Sequence, residues 1–110
     1  MKEIKAYIKP HKLSPVTLAL HKIRKLTGMS VIGAKGYGRS RAQNYGSDGL
    51  KDYVPHIKVE VVCTDDLVDT VIATIEKAAY TGLRGDGKIY VSPVENAVRI
   101  ETGERGEDAV

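Results

Sequence analysis

Apolar and polar residues alternate in several stretches of the chain, and this alternation predicts β-strands. Ile4, Ala6 and Ile8 alternate with charged or aromatic residues over positions 2–9, as in a strand with one buried face. Positions 57–63 show the same period of two, from Ile57 to Cys63. Two further strands are predicted at 30–37 and 88–94. The chain therefore has four predicted strands.

A helical period follows the first strand. Val16, Leu20 and Ile23 recur on one helical face. Ser14 followed by Pro15 predicts the start of this helix, with Ser14 as the N-cap and Pro15 at the first helical position. Gly28 suits a C-terminal cap of the same helix.

A second and clearer helical stripe follows the third strand. Its apolar members are Leu67, Val68, Val71, Ile72, Ile75, Ala78 and Ala79. Thr64, Asp65 and Asp66 offer an N-cap and acidic residues for its first turn. Gly82 is the predicted cap at its end.

Residues 38–54 have no hydrophobic period and are rich in Gly, Arg, Ser and Asn, which predicts a long surface loop. The order of elements is strand, helix, strand, loop, strand, helix, strand. This order predicts an α+β fold of the ferredoxin-like β-α-β-β-α-β type, as a single domain over residues 1–110. Both helices are expected on one sheet face, with a short polar tail at 104–110.

Composition and charge limit the function only loosely. The chain has 110 residues and a formal net charge of +3, which suits a ligand that carries phosphate or a nucleic acid, although charge alone favours a slightly basic surface with no anionic partner. The lone cysteine, Cys63, is expected to be a buried small hydrophobe. No apolar stretch has the length of a signal peptide or a membrane span. We therefore expect a cytoplasmic protein that does not insert into a membrane.

Two glycine-rich basic segments, at 35–39 and 81–88, could bring backbone N–H groups and cations to a polyphosphate. Neither is a Walker motif or a dinucleotide fingerprint in its strand-to-helix context. Taken singly, each has a plainer explanation as a turn or a helix cap. The residues also lack a catalytic or metal-ligand constellation, because His11, His21 and His56 lie apart in the sequence. We therefore expect no enzymatic activity, no catalytic residues and no metal site.

Several segments at matching spacing resemble those of the P-II nitrogen regulators over nearly the whole chain. These segments are Ile8-Lys9-Pro10, Thr27-Gly28-Met29, Lys35-Gly36-Tyr37-Gly38-Arg39, Lys58-Val59-Glu60-Val61-Val62, Gly85-Asp86-Gly87-Lys88-Ile89-Tyr90 and Thr102-Gly103-Glu104. The resemblance implies a homotrimer of ferredoxin-like subunits that binds ATP or ADP, with Mg²⁺ as a companion ion, in the clefts between subunits. It also implies that the loop at 38–54, the T-loop of that family, engages a target enzyme, regulator or membrane transporter.

The resemblance assigns nucleotide binding to a set of residues from both glycine-rich segments and from the neighbouring strands. They are Ser30, Gly36, Gly38, Arg39, Glu60, Val62, Gly85, Asp86, Gly87 and Lys88, with Arg99 reaching in from the neighbouring subunit. The family's 2-oxoglutarate site is altered here, because Ser40 replaces a glutamine and His56 replaces a lysine. Glu101 likewise stands where a second arginine is common. Tyr45 is the loop tyrosine available for covalent modification.

These departures leave two functions open within the family. One is a nitrogen regulator that senses adenylates together with 2-oxoglutarate. The other is a divergent regulator of a membrane transporter that responds to adenylates or to another small anion. In both cases Ser40 and His56 are the candidate effector residues.

Two other classes of protein share this order of elements. An RNA-binding RRM module is suggested by Lys35-Gly36-Tyr37-Gly38, which matches the start of an RNP1 motif. The match then fails, because Arg39-Ser40-Arg41 supplies no aromatic for base stacking and the segment falls on the second strand. We therefore expect no nucleic-acid partner. A small enzyme or metal-tolerance protein of similar fold is the other alternative.

Overall fold

The computed structural model describes residues 1–37 and 53–110. Its centre is a four-stranded sheet in the order β2-β3-β1-β4. The strands are β1 at Lys2–Ile8, β2 at Ser30–Gly36, β3 at Val54–Cys63 and β4 at Lys88–Pro93. All neighbouring strands are antiparallel. This confirms the predicted α+β ferredoxin-like arrangement.

Two helices cover one face of the sheet. Helix α1 spans Leu13–His21 and helix α2 spans Val68–Ala79. The core is aliphatic and combines the inward residues of β1 and β3 with those of both helices: Ile4, Ala6, Ile8, Val16, Leu20, Val59, Val61, Cys63, Val71, Ile75 and Ala79. Cys63 is only 1% exposed, and burial raises the pKa of its thiol, so its predicted role as a buried small hydrophobe is confirmed.

The opposite sheet face is open and polar. Lys5 pairs with Glu60 on one side and with Tyr90 on the other. Because side chains alternate across a strand, these residues all point away from the helices. Nearby, Tyr7 meets Tyr90 edge to face at 6.2 Å. The open face predicted from the strand pattern is therefore present.

Both helices begin differently from the predictions. A short 3₁₀-helix at Pro10–Lys12 leads into α1, whose N-cap is Lys12. Ser14 therefore lies inside the first turn, and its prediction as N-cap was wrong. Pro15 is tolerated there because N–H groups of a helix first turn have no intrahelical acceptor. Before α2, Thr64 occupies the N-cap position of a 3₁₀-helix at Asp65–Leu67 rather than of the α-helix itself, and its side chain makes no capping hydrogen bond.

The predicted glycine caps were also wrong. Helix α1 ends at His21, so Gly28 lies well beyond it. Helix α2 ends at Ala79, where Tyr80 already has an extended backbone. Gly82 has a φ of 79° and belongs to the turn that follows. In both places the chain leaves the helix before it reaches the glycine.

Residues 38–52 of the loop predicted at 38–54 lie outside the described residues. At its far end the structure differs, because Val54 already belongs to β3 and pairs with Gly36. In the C-terminal tail, Val98 forms an isolated antiparallel bridge with Arg105, and Gly106–Ala109 forms a 3₁₀-helix. Within the described ranges, no helix is long and apolar enough to cross a membrane.

Candidate functional site

A cavity of about 820 Å³ opens on the polar sheet face at the end where β2 stops and β4 begins. The antiparallel topology explains this location, because the C-terminal ends of β1 and β2 and the N-terminal ends of β3 and β4 lie at the same end of the sheet. The cavity walls come from residues 34–37, from Val54 and His56 of β3, from residues 84–88, and from the open face at Lys5, Tyr7, Tyr90 and Ser92. Residues 35–37 of the first glycine-rich segment and residues 84–88 of the second therefore line a single site.

The turn between α2 and β4 is organised around the carboxylate of Asp86. Oδ2 of Asp86 accepts the backbone N–H of Thr81 at 2.8 Å and that of Gly82 at 3.3 Å. Oδ1 accepts the Thr81 hydroxyl and lies 3.2 Å from Nζ of Lys9. The hydrogen bonds from Thr81, followed by the charge and hydrogen bond of Lys9, hold the pKa of Asp86 well below its usual range. Both oxygens of the carboxylate therefore accept hydrogen bonds from within the turn.

Thr81 links the same turn to its neighbours. Its hydroxyl oxygen accepts a hydrogen bond from Nζ of Lys9 at 3.2 Å and from the backbone N–H of Leu83 at 3.1 Å. The hydroxyl also donates a hydrogen bond to Asp86. Its donor and both of its acceptor positions are therefore occupied. The start of the turn is thus held by side chains that come from three places in the sequence.

Two glycines allow the turn to pass close to the sheet. Gly85 and Gly87 have φ values of 82° and 101°, a region that residues other than glycine disfavour. A Cβ at position 87 would lie 1.6 Å from the backbone oxygen of Tyr7. This distance is far shorter than any van der Waals contact, so a side chain there would clash with β1. Gly87 is therefore required where the turn crosses the end of β1.

The opposite wall is formed by Gly36 and His56. Nδ1 of His56 donates to the carbonyl oxygen of Val54 at 3.2 Å, so this nitrogen carries the proton and Nε2 is the ring nitrogen left for a ligand. A Cβ at Gly36 would lie 3.2 Å from the same Nδ1. Glycine at position 36 therefore leaves room for the imidazole to take this position.

The cavity lining is strongly cationic. It includes Lys5, Lys35, Arg84 and Lys88, of which Lys5 is paired with Glu3 at 3.2 Å, and Asp86 is the carboxylate among the lining residues. Because Asp86 is paired with Lys9, its charge is largely compensated. An excess of cations beside glycine backbone is the combination that favours a polyphosphate or carboxylate ligand.

Of the residues expected to bind nucleotide or effector, six line this cavity: Gly36, His56, Gly85, Asp86, Gly87 and Lys88. Three others lie on β2 and β3 and do not line it. Ser30 pairs with Glu60 across these strands, and Val62 follows on the same open face. The expected binding residues Gly38, Arg39 and Ser40, and the candidate modification site Tyr45, lie outside the described residues.

Arg99 is not among the residues that line the cavity. It lies in the C-terminal segment, where its Nε is 3.7 Å from Oε1 of Glu104. Its backbone N–H donates to Glu104, and its carbonyl accepts from Gly103. The structure of one chain therefore brings together the two glycine-rich segments but not Arg99.

Lys9, Thr81 and Arg84 were not among the predicted site residues. Arg84 lines the cavity directly, whereas Lys9 and Thr81 act on Asp86. No local sequence signal marks Lys9, and only the observed pairing of the strands places it at the site. Since β1 pairs with β4 from Tyr7 to Lys88, the residue just past β1 must lie near the turn before β4.

Metal-binding and catalytic groups are sparse around the cavity. Across residues 1–37 and 53–110, no group of three or more His, Cys, Asp or Glu side chains is arranged to hold a metal ion. The site is instead built from backbone, cations and tyrosines. These features define the class of the protein as a small ferredoxin-like module with a cationic, glycine-lined cleft at one end of the sheet.

Comparison with known proteins identifies the family. The family model for nitrogen regulatory protein P-II matches residues 1–104. The P-II proteins of Azospirillum brasilense and Rhodospirillum rubrum are each 48% identical to this chain over the full length of both proteins. The crystal structure of Arabidopsis thaliana PII bound to citrate superposes with a TM-score of 0.84 at 37% identity, covering 99% of this chain and 91% of the other. The chain belongs to the P-II family of nitrogen regulatory proteins, which are signal transduction regulators.

Proposed function

We propose that this protein binds ATP or ADP, with Mg²⁺, in the cavity at the end of the sheet where β2 stops and β4 begins, and uses the bound nucleotide as a signal. The observation that carries the proposal is the meeting of Gly36 with the Gly85–Lys88 segment in one cavity of about 820 Å³. Glycine backbone permits close approach of a polyphosphate, and cations offset its charge. Lys88 is the central phosphate ligand in this proposal, with Gly85 and Gly87 supplying backbone N–H groups.

The working unit is a homotrimer in which the cleft is completed by a neighbouring subunit. Arg99 belongs to an exposed C-terminal segment that does not line its own chain's cavity. In the trimer Arg99 reaches the phosphates of the adjacent subunit. Ser30, Glu60 and Val62 lie further along the same sheet face and approach the adenine or ribose. Gly38 and Arg39 contribute from the start of the loop.

The output of the protein is regulation of a partner and not catalysis. The relatives are named as regulatory proteins, and the described residues around the cavity offer no paired acid and base. We place the protein in the cytoplasm. There its loop at 38–54 engages a target enzyme, regulator or membrane transporter, and Tyr45 is the candidate position for covalent modification.

The proposal is tested by calorimetric titration of the purified protein with ATP and with ADP, each with Mg²⁺. Saturable binding with one nucleotide per chain is expected. The absence of heat and of any nucleotide-dependent rise in melting temperature would contradict nucleotide binding. The fold would be unaffected by that outcome.

Lys88→Ala is expected to weaken ATP binding by about 1.5–3 kcal/mol, because it removes a charge-assisted contact to phosphate. Lys22→Ala is the matched control, since Lys22 is an exposed lysine at the end of α1. Equal affinities for wild type and Lys88→Ala would show that the phosphates bind elsewhere.

A second function is favoured by His56, which lines the cavity where the family commonly has a lysine that meets 2-oxoglutarate. With Nδ1 donating to Val54, the neutral imidazole leaves only Nε2 for a ligand, and this nitrogen is an acceptor, whereas an ammonium group has three donors. The protein would then regulate a transporter in response to adenylates or another small anion. Titration with Mg²⁺ and ATP in the presence and absence of 2-oxoglutarate separates the two functions. Tightening by 2-oxoglutarate indicates a nitrogen sensor, and unchanged affinity supports the divergent regulator.

A further inference from the structure

Asp86 presents a problem for a phosphate site, because it lines the cavity and carries a negative charge. A carboxylate facing a polyphosphate repels it. The hydrogen bonds resolve this problem. Both oxygens of Asp86 are turned toward Thr81, Gly82 and Lys9. Asp86 therefore has the geometry of a group that shapes the turn and not of one that touches a ligand.

Lys9 is the cation that makes this arrangement electrostatically acceptable. It lies just beyond the end of β1, and its Nζ reaches both Asp86 Oδ1 and Thr81 Oγ1 at 3.2 Å. The side chains of Lys9 and Asp86 are 16% and 24% exposed, so the pair is better shielded from water than a typical surface ion pair. Lys9 is separated by 72 residues from Thr81, so it ties the turn to the central strand.

We propose that Lys9 is a positioning residue for the phosphate-binding turn. Its ammonium group compensates the charge of Asp86 and holds that carboxylate on the N–H groups of Thr81 and Gly82, which places Gly85, Gly87 and Lys88 for the ligand. Lys9 itself does not touch the nucleotide. This inference rests on the proposed nucleotide site for its functional part, while its structural part can be tested without any ligand.

The structural part is tested by Lys9→Met, which keeps the length of the side chain and removes the charge. Hydrogen exchange of the Thr81 and Gly82 amides should become faster in this variant, because their acceptor is no longer held. The pKa of Asp86, followed by carboxyl carbon NMR, should rise toward its ordinary value. Lys9→Arg should restore both readouts. Lys2→Met, on the same strand, is the control for the loss of one positive charge.

The functional part is tested by ATP titration. Lys9→Met should lower ATP affinity about tenfold, and Lys9→Arg should recover most of it. A double-mutant cycle with Asp86→Asn then separates positioning from direct contact. If Lys9 acts through Asp86, Lys9→Met should change ATP affinity by less than about twofold in the Asp86→Asn background.

Two results would overturn the inference. One is a loss of ATP affinity on Lys9→Met that persists undiminished in the Asp86→Asn background, because Lys9 would then contact the ligand directly. The other is unchanged amide exchange and unchanged Asp86 titration in Lys9→Met. If wild-type protein fails to bind ATP, the proposed function fails by itself, and the exchange and titration measurements still decide whether Lys9 holds the turn.

Discussion

At the residue scale, the most constrained position in the site is Gly87. Its φ of 101° disfavours any side chain, and a Cβ there would lie only 1.6 Å from the Tyr7 backbone oxygen. Relief of such a clash requires the turn to move away from β1, since the obstacle is backbone. The shape of the cavity therefore depends on the absence of a side chain at this position.

Gly87→Ala is expected to destabilise the protein by about 2–4 kcal/mol, and the displaced turn should weaken nucleotide binding as well. Urea unfolding measures the first effect and titration with ATP measures the second. Gly28→Ala is the control, because a Cβ there meets nothing within 4 Å. A Gly87→Ala protein as stable as wild type would mean that the turn does not cross β1 as described.

Asp86 makes the folding stability of the protein depend on pH in the acid range. Because its pKa is lowered in the folded state by Thr81 and Lys9, the unfolded chain takes up the proton first as the pH falls. The stabilisation from Asp86 is therefore complete above about pH 5 and is lost progressively as the pH falls below about 4 toward the folded pKa.

Asp86→Asn should consequently lower the free energy of unfolding most at neutral pH, and the difference from wild type should shrink in acid. Urea unfolding curves between about pH 7 and about pH 2.5 measure this difference. Asp108→Asn, which removes an exposed carboxylate from the C-terminal 3₁₀-helix, is the matched control. A difference that stays constant across this range would contradict the ionic role of Asp86.

At the element scale, α2 contributes more to the core than α1 does. Its buried residues Val71, Ile75 and Ala79 recur at helical spacing and pack on the inward face of β1 and β3. Helix α1 supplies Val16 and Leu20 and exposes Leu18. Since the turn that lines the cavity at residues 84–87 lies between α2 and β4, packing of this helix also supports the site.

Ile75→Ala is expected to cost about 2–5 kcal/mol of stability, because it opens a cavity beneath the sheet at a position that is 1% exposed. Leu18→Ala, at a position 66% exposed, should change stability by less than about 0.5 kcal/mol. Thermal or urea unfolding of both variants makes the comparison. Equal effects would mean that α2 does not pack as described.

At the scale of the whole molecule, the proposed cleft needs two chains. Lys88 lines the cavity of its own chain, whereas Arg99 does not. If a trimer pairs these residues across subunits, mixing two different single-residue variants should restore some of the clefts. In the proposed trimer, Lys88→Ala and Arg99→Ala subunits should each be defective, but a mixed trimer should contain clefts in which both residues are intact.

When the two variants assemble together at random in equal amounts, about one cleft in four should be intact and should bind ATP with wild-type affinity. Co-expression followed by titration measures this recovery. Sedimentation equilibrium should give three times the chain mass of 12.0 kDa. Mixed trimers that bind no better than the single variants would place Lys88 and Arg99 in separate sites.

The sequence by itself determined the strands, the helices and their order. Alternation of Ile4, Ala6 and Ile8 requires one buried face, and the repeat from Val71 to Ala79 requires a helix against it, because apolar burial dominates folding. It also carried enough family motifs to indicate the P-II family, which the comparisons confirm. The helix ends were less predictable. Ser14, Gly28 and Gly82 each favour a helix cap locally, but the helices begin or end at other residues.

Only the tertiary structure decided which weak signals form one site. The two glycine-rich segments lie far apart in the sequence, and their proximity depends on the sheet order β2-β3-β1-β4, which is a property of long-range pairing. The same pairing brings Lys9 to Asp86 and Tyr7 to Gly87. Such contacts could not be predicted from local pattern, because each depends on where a distant strand ends.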